Sequence, residues 1–301
     1  MQLPVQSRSV LFAEAWEAGA GAEDLVEIAR VADRSGFAYL ACCDHVAIPR
    51  RLADAMGTTW YDPVATLAYL AAATERVRLM SHVAVVGLRH PLLSAKQYAT
   101  LDHLSGGRLI LGVGAGHVPE EFAVLGVDFA RRGPLLDETV DALRSALGPE
   151  EFPEHHGAAY DFAGLGQRPR PAQERVPLWV GGSSPAAVRR AATRADGWLP
   201  QGDPRAKLPA QITRLRRLRA DAGVTERIVV GAITEPLYVG EPAWPVGRRT
   251  LSGKPDALAE SLRAYATFGV DQIQVRFRSR GRTELTDQMA AFAAEVAPHL
   301  N

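Results

Sequence analysis

The sequence predicts an α/β chain closed into a (β/α)8 TIM barrel, and three observations predict it. Short β-branched or apolar runs alternate with longer helical patterns along all 301 residues. The alternation occurs eight times, with no linker or low-complexity segment to divide it. Eight strand–helix units need about 250 residues, so a single domain over 1–301 accommodates them. Strict alternation implies parallel strands joined by right-handed crossovers. Alternation alone does not require closure, so a doubly wound open sheet is the competing architecture.

Taken in order, strand one is 9–13, and the helix after it covers 22–35 with Leu25, Ile28, Ala29 and Ala32 on one face. Gly36 ends that helix and 37–42 is strand two. Asp62 and Pro63 start the helix 64–74, since proline suits the first helical position. Strand three is 77–86, Pro91 opens a helix running to Leu104, and 108–113 is strand four. Helical patterns follow over 119–125 and 134–147. The Pro- and Gly-rich stretch 148–177 is an excursion before strand five, 178–180. A helix over 185–194, strand six at 197–199 and a basic helix over 205–220 come next. Strand seven is 228–233, a loop runs to Lys254, a helix covers 255–268, and strand eight is 271–276 before a last helix over 284–296.

Composition removes several function classes. Lys+Arg 34 balances Asp+Glu 34, so no basic surface points to nucleic acid. No apolar run reaches the roughly 18 residues of a membrane span, and the start lacks a basic stretch followed by an apolar one. No membrane partner and a cytoplasmic location are therefore expected. Cys42 and Cys43 are adjacent and cannot make a disulfide framework. No two histidines have the i, i+4 spacing of a helical metal site, so no metal is expected.

In a barrel the C-terminal strand ends carry chemistry and the opposite ends carry stability. Cys43, Asp44 and His45 follow strand two, Ser81 and His82 lie late in strand three, and residues 112–117 follow strand four. Gly181, Gly182, Ser183 and Ser184 follow strand five, while Arg276 and Arg278 sit past strand eight. Asp102 and Arg108 flank the entry to strand four and are expected to pair across the 105–107 turn. Glycines admit an anion close to the backbone, and the helix starting at Ser184 and Pro185 offers free N–H groups and a dipole, so 181–184 reads as a phosphate loop or as a plain tight turn. Gly114, Ala115 and Gly116 lack dinucleotide-fingerprint spacing; they leave bare backbone beside the mouth, where a flat ring fits, or again only a turn. His45 and His117 are the histidines placed directly after strands, and imidazole exchanges protons near neutral pH. Asp44 would fix the His45 tautomer, although neighbouring side chains on a strand point apart. His155 and His156 lie in the excursion and read as solvated.

These residues carry a resemblance. The run Arg89-His90-Pro91, Lys96-Gln97, residues 99–102, Leu104-Ser105, Gly107-Arg108, residues 111–116 and Glu121-Phe122 resembles the luciferase-like flavin/deazaflavin oxidoreductase superfamily. So do residues 179–183, Ala191 and 196–198, and also residues 160–162 with 169–171. The likeness spans nearly the whole chain, and short members using coenzyme F420, a deazaflavin, are most similar. It implies a ring in the barrel mouth, Asp44 and His45 at the Asp-His position, and Gly114, Ala115 and Gly116 beside the ring. It places the phosphate on Gly181, Gly182, Ser183 and Ser184, and a non-prolyl cis peptide between Ser81 and His82. Sugar-phosphate dehydrogenases of this family carry a glutamate where this chain has His117, which speaks against a sugar phosphate as substrate.

The resulting expectation is hydride transfer between coenzyme F420 and a small organic substrate, with His45 nearest the reacting carbon, Asp44 on the cofactor and His117 on the opposite wall. The alternatives are an FMN-dependent monooxygenase fed by a partner reductase and a non-catalytic flavin-binding protein. A homodimer and a flavin or deazaflavin reductase are the protein partners this reading admits.

Overall fold

Among the described residues, seven short strands form the central sheet, and most of their side chains are buried, as in a parallel sheet covered on both faces. They are β1 (Tyr39–Cys42), β2 (Arg78–Ser81), β3 (Leu109–Val113), β6 (Leu178–Gly181), β7 (Gly197–Leu199), β8 (Val229–Ile233) and β11 (Gln272–Gln274). Their order is β1-β2-β3-β6-β7-β8-β11, every pairing parallel. The computed structural model describes residues 1–10, 13–202 and 204–300.

Helices alternate with these strands: α1 (Ala22–Arg34), α2 (Ala53–Met56), α3 (Pro63–Ala71), α4 (Pro91–Leu104), α5 (Pro119–Val124), α6 (Arg132–Ala146), α7 (Pro185–Arg194), α8 (Leu208–Asp221), α9 (Pro255–Thr267) and α10 (Arg282–Ala291). Local chemistry sets their starts. Asp62 accepts from the Ala65 N–H and Ser184 from the Ala187 N–H, each ahead of a proline at the first helical turn. Their apolar faces form one continuous core with the outer face of the sheet. A second, separate cluster of Tyr39, Ala41, Met80, Ile110, Trp179 and Leu199 takes alternate residues of successive strands, the inner layer of a barrel-type interior. Trp179 is its largest member, and a Cβ on Gly197 would run into its ring, so that position must stay bare.

Several expectations are corrected. Leu11 and Phe12 of the strand expected at 9–13 lie outside the described residues; Ser9, Val10 and Ala13 are not in a strand. The place beside β1 is taken by residues 1–3 instead. Gln2 bridges Ala41 in parallel, Leu3 N–H donates to Ala41 O (2.9 Å), and Gln2 N–H donates to Val275 O (3.2 Å). One segment is thus hydrogen-bonded to both edges of the sheet. Strand three is shorter than expected, because the chain leaves the register after His82 and rejoins β3 only at the Ala84–Val113 bridge. The expected loop 234–254 contains the parallel pair β9 (Leu237–Val239) and β10 (Leu251–Gly253). Within 148–177 a short antiparallel pair, β4 (His155–His156) and β5 (Asp161–Phe162), is present. Asp102 and Arg108 do not pair: Asp102 accepts from the N–H groups of Leu109 and Gln173, whereas Arg108 donates to the carbonyls of Ala71, Val77 and Ser105. His156 is exposed as expected, but His155 is partly buried beside Glu138.

Candidate active site

The C-terminal ends of β1, β2 and β3 bring one cluster of imidazoles and carboxylates together. His45, just past β1, places Nδ1 2.9 Å from Glu121 Oε2. The other carboxylate oxygen accepts from the N–H groups of Val46 (2.6 Å) and Ala47 (3.2 Å). Glu121 stands in the first turn of α5, after Pro119, where the helix dipole also favours an anion. Burial raises its carboxyl pKa, but His45 and the two backbone donors outweigh that and hold it below its ordinary value. Glu121 is therefore ionised, the His45 proton sits on Nδ1, and Nε2 is the nitrogen left for chemistry. Trp60 packs edge-on to the His45 ring at 4.5 Å and His117 at 5.3 Å. Desolvation, assisted by His45, lowers the His117 imidazole below its ordinary value, against the pull of Glu121.

Asp44 plays a different part from the one expected. Its carboxylate is 5% exposed and is occupied by the Val85 N–H (2.9 Å) and by both terminal nitrogens of Arg89 (2.8 and 3.0 Å). It anchors the segment after β2, and the group that orients His45 is Glu121, because adjacent side chains at a strand end point apart. Beside it, burial pushes the Cys43 thiol up to about 11, so it stays protonated. Arg278 donates to Glu14 (2.7 Å) and Thr250 (3.3 Å) at the far side of the mouth.

The non-prolyl cis bond lies between His82 and Val83, one residue later than expected. Ser81 is still paired with Cys42 in the β1–β2 register and the His82 N–H still donates to Cys42 O (2.6 Å), so the departure begins after His82. Val83 then lies half-buried between two glycines: a Cβ on Gly114 would run into its Cγ2, and one on Gly181 would stand 2.7 Å from its Cγ1. The bare backbone of both loops thus makes room for Val83. Gly116 is bare for another reason, having φ +76° and Phe122 and Val85 against it. Ala115 borders the same edge, half-buried. His82 is buried, and desolvation pulls its pKa down to about 4.

At the β6–α7 loop, Gly182 has φ +102°, donates its N–H to Leu199 O (3.0 Å) and accepts from Trp198 Nε1 (2.8 Å). Its N–H is thus committed to β7 and is no anion donor, contrary to expectation. Ser183 Oγ is engaged by the backbone of Gln201, and exposed Ser184 caps α7. A planar redox ring with a phosphate tail needs an apolar floor, bare backbone at its edge and an anion-favouring helix start. Val83 with its flanking glycines and the start of the ten-residue α7 fit that group.

Val83, Trp60, Gln201 and Gln274 are not singled out by the sequence, and Glu121 enters there only within the family signature, without a role. For Glu121 the available signal was an acidic residue in a helix first turn behind a glycine run; the others carry no local signal. Among the described residues, no group of three or more His, Cys, Asp or Glu could hold a metal ion, and no helix is long and apolar enough to cross a membrane.

The family model described as luciferase-like monooxygenase matches residues 7–243. A Mycobacterium tuberculosis (strain H37Rv) protein, "Uncharacterized protein Rv0953c", is 34% identical over 289 residues, covering 89% of this chain and 92% of its own. The monooxygenase RslO1 from Streptomyces bottropensis superposes with a TM-score of 0.82 at 24% identity, over 100% of this chain and 99% of that one. An F420-dependent secondary alcohol dehydrogenase, solved with an F420–acetone adduct, superposes with a TM-score of 0.78 at 15% identity, over 100% and 98%.

Proposed function

The chain belongs to the luciferase-like monooxygenase family, and from that premise we propose that it is an oxidoreductase moving a hydride between coenzyme F420 and a small organic substrate. Residues 1–301 form one closed eight-unit barrel in this reading, with residues 1–3 as its first stave. The observation that carries the reading is the commitment of His45 Nδ1 to the buried Glu121, which leaves Nε2 to exchange a proton.

A bound deazaflavin supplies a carbon that gives or takes a hydride. The protein's share is the proton. For a hydroxyl-bearing substrate, His45 Nε2 would accept the O–H proton on oxidation and return it to the oxygen in the reverse direction. Glu121 stabilises the imidazolium formed in between, the role a buried carboxylate has beside a catalytic histidine. Trp60 packs against the His45 ring and the exposed His117 borders it at the mouth. Val83, Gly114 and Gly181 would form the floor, while Ser183, Ser184 and the start of α7 would hold the phosphate.

The family description, a monooxygenase, supports a second reading; we take that reading to be an FMN-dependent enzyme supplied by a partner reductase. Titration of the purified protein with coenzyme F420 and with FMN separates the two. Tighter binding of the deazaflavin is expected; preference for FMN transfers the assignment to the second reading, and binding of neither refutes both.

A further inference from the structure

Four polar side chains run in one line from the β6–α7 loop to the last strand. Gln201, two residues past β7, is clamped to Ser183 at its main chain: its N–H donates to Ser183 Oγ (3.0 Å) and the hydroxyl donates back to Gln201 O (2.9 Å). Its side-chain Nε2 stands 3.0 Å from His82 Nε2. On the other side of that ring, His82 Nδ1 is 3.3 Å from the side-chain amide of Gln274, which is 1% exposed.

The polarity of the line is determined by counting donors. A neutral imidazole has one N–H and one lone pair. Amide nitrogens face both ring nitrogens, Gln201 Nε2 at His82 Nε2 and Gln274 Nε2 at Nδ1, so one amide must present its oxygen instead, and the ring proton lies on that side. That proton needs an acceptor, and Gln274 Oε1 is a buried oxygen with no hydrogen-bond partner. Turning over the Gln274 amide gives that oxygen the Nδ1 proton and leaves His82 Nε2 to accept from Gln201. His82 in turn precedes Val83, whose side chain fills the gap between Gly114 and Gly181.

We infer that Gln201 is a positioning residue that couples the phosphate loop, through Ser183 and His82, to the Val83 floor under the ring. The inference rests on the proposed placement of cofactor in this mouth, but the coupling itself is a property of the protein alone. An anion settling at Ser183 and Ser184 moves the Gln201 main chain, and the amide transmits that displacement to His82.

Two measurements test it. In protein labelled with ¹⁵N at histidine, without cofactor, His82 should show the Nδ1–H tautomer. Gln201→Leu, which keeps the bulk and removes the amide, should shift the His82 ring resonances, and Ser183→Ala, one link further away, should shift them too. Gln201→Asn should restore part of the wild-type signature. An Nε2–H tautomer, or His82 resonances indifferent to both Gln201→Leu and Ser183→Ala, overturns the inference whatever binds in the mouth. In the second measurement FMN and coenzyme F420 are titrated into wild type and Gln201→Leu. The variant should bind about 2- to 10-fold more weakly, the value of one net hydrogen bond, with a displaced absorption band of the bound ring. A Gln201→Leu protein that melts earlier but binds with wild-type affinity and spectrum makes Gln201 merely structural and overturns the inference. If wild type binds neither cofactor while the tautomer and both shifts are as stated, the functional reading fails and the coupling stands.

Discussion

Glu121 commits both carboxylate oxygens to one short stretch of chain, the His45 ring and the N–H groups of Val46 and Ala47. That geometry decides what His45 can do. Replacing the carboxylate by an amide in Glu121→Gln keeps the shape but offers Nε2–H to His45, which forces the proton onto the wrong ring nitrogen. His45→Ala removes the proton carrier altogether. Each variant should lose about 10²–10⁴-fold in turnover, with cofactor affinity nearly kept. Steady-state kinetics beside a cofactor titration checks this; if both variants turn over at the original rate, His117 becomes the group to test. His82 supports a separate prediction on stability. Its pKa falls from 6.5 to about 4 on folding, so the unfolded chain binds the proton first as pH drops. Stability from neutral His82 is complete above about 6.5 and is lost as pH falls towards 4, by about 3 kcal/mol in all. Glu121 acts in the same direction at lower pH, since its depressed pKa contributes stability that disappears as the pH falls through the folded value. Urea melts at pH 7 and pH 4.5 should show the loss, and His82→Gln should flatten the slope between them. His45 was legible in the sequence because it follows a strand. The role of Glu121 was not, because its contact with His45 joins residues 76 positions apart.

The glycines after β3 and β6 show what element-level reading captures and what it leaves out. Their position at C-terminal strand ends was legible, and so was the helix start at Ser184, because turn and cap chemistry is local. What they make room for was not legible, since Val83 reaches them from another strand. The consequence is testable. Gly114→Ala sets a methyl against Val83 and should destabilise by about 1–3 kcal/mol, as overpacking does. Val83→Ala in the same chain removes the obstructing methyls and should recover most of that loss, which a double-mutant cycle in urea measures. Full additivity of the two changes would mean that Val83 is not what the glycine accommodates. Gly182 needs a different probe: at φ +102° any side chain is strained, so Gly182→Val would confuse lost binding with lost stability. Ser184→Ala probes the helix start more cleanly, and should cost about 1 kcal/mol through the lost cap on the Ala187 N–H.

For the whole molecule, the alternation of strands and helices was legible because each apolar run carries its own period, and the parallel order β1-β2-β3-β6-β7-β8-β11 follows from it. The segment that joins the two edges was misplaced. Residues 1–3 are too few to show a strand pattern, and only pairing with Ala41 on one side and Val275 on the other gives them their conformation. Such a seam predicts how the sheet opens. If the edges are held through this segment, the Leu3 and Ala41 amides, which donate to Ala41 O and Met1 O, should exchange with solvent only on global unfolding. Leu3 is 2% exposed, so Leu3→Ala should cost about 2–5 kcal/mol. The distribution of that cost is the deciding observation. Protection should fall in β1 and β11 together, although 230 residues of chain separate Cys42 from Gln272. Faster exchange confined to β1, with β11 unchanged, would show that the segment merely lies on one edge and that the barrel is not closed through it.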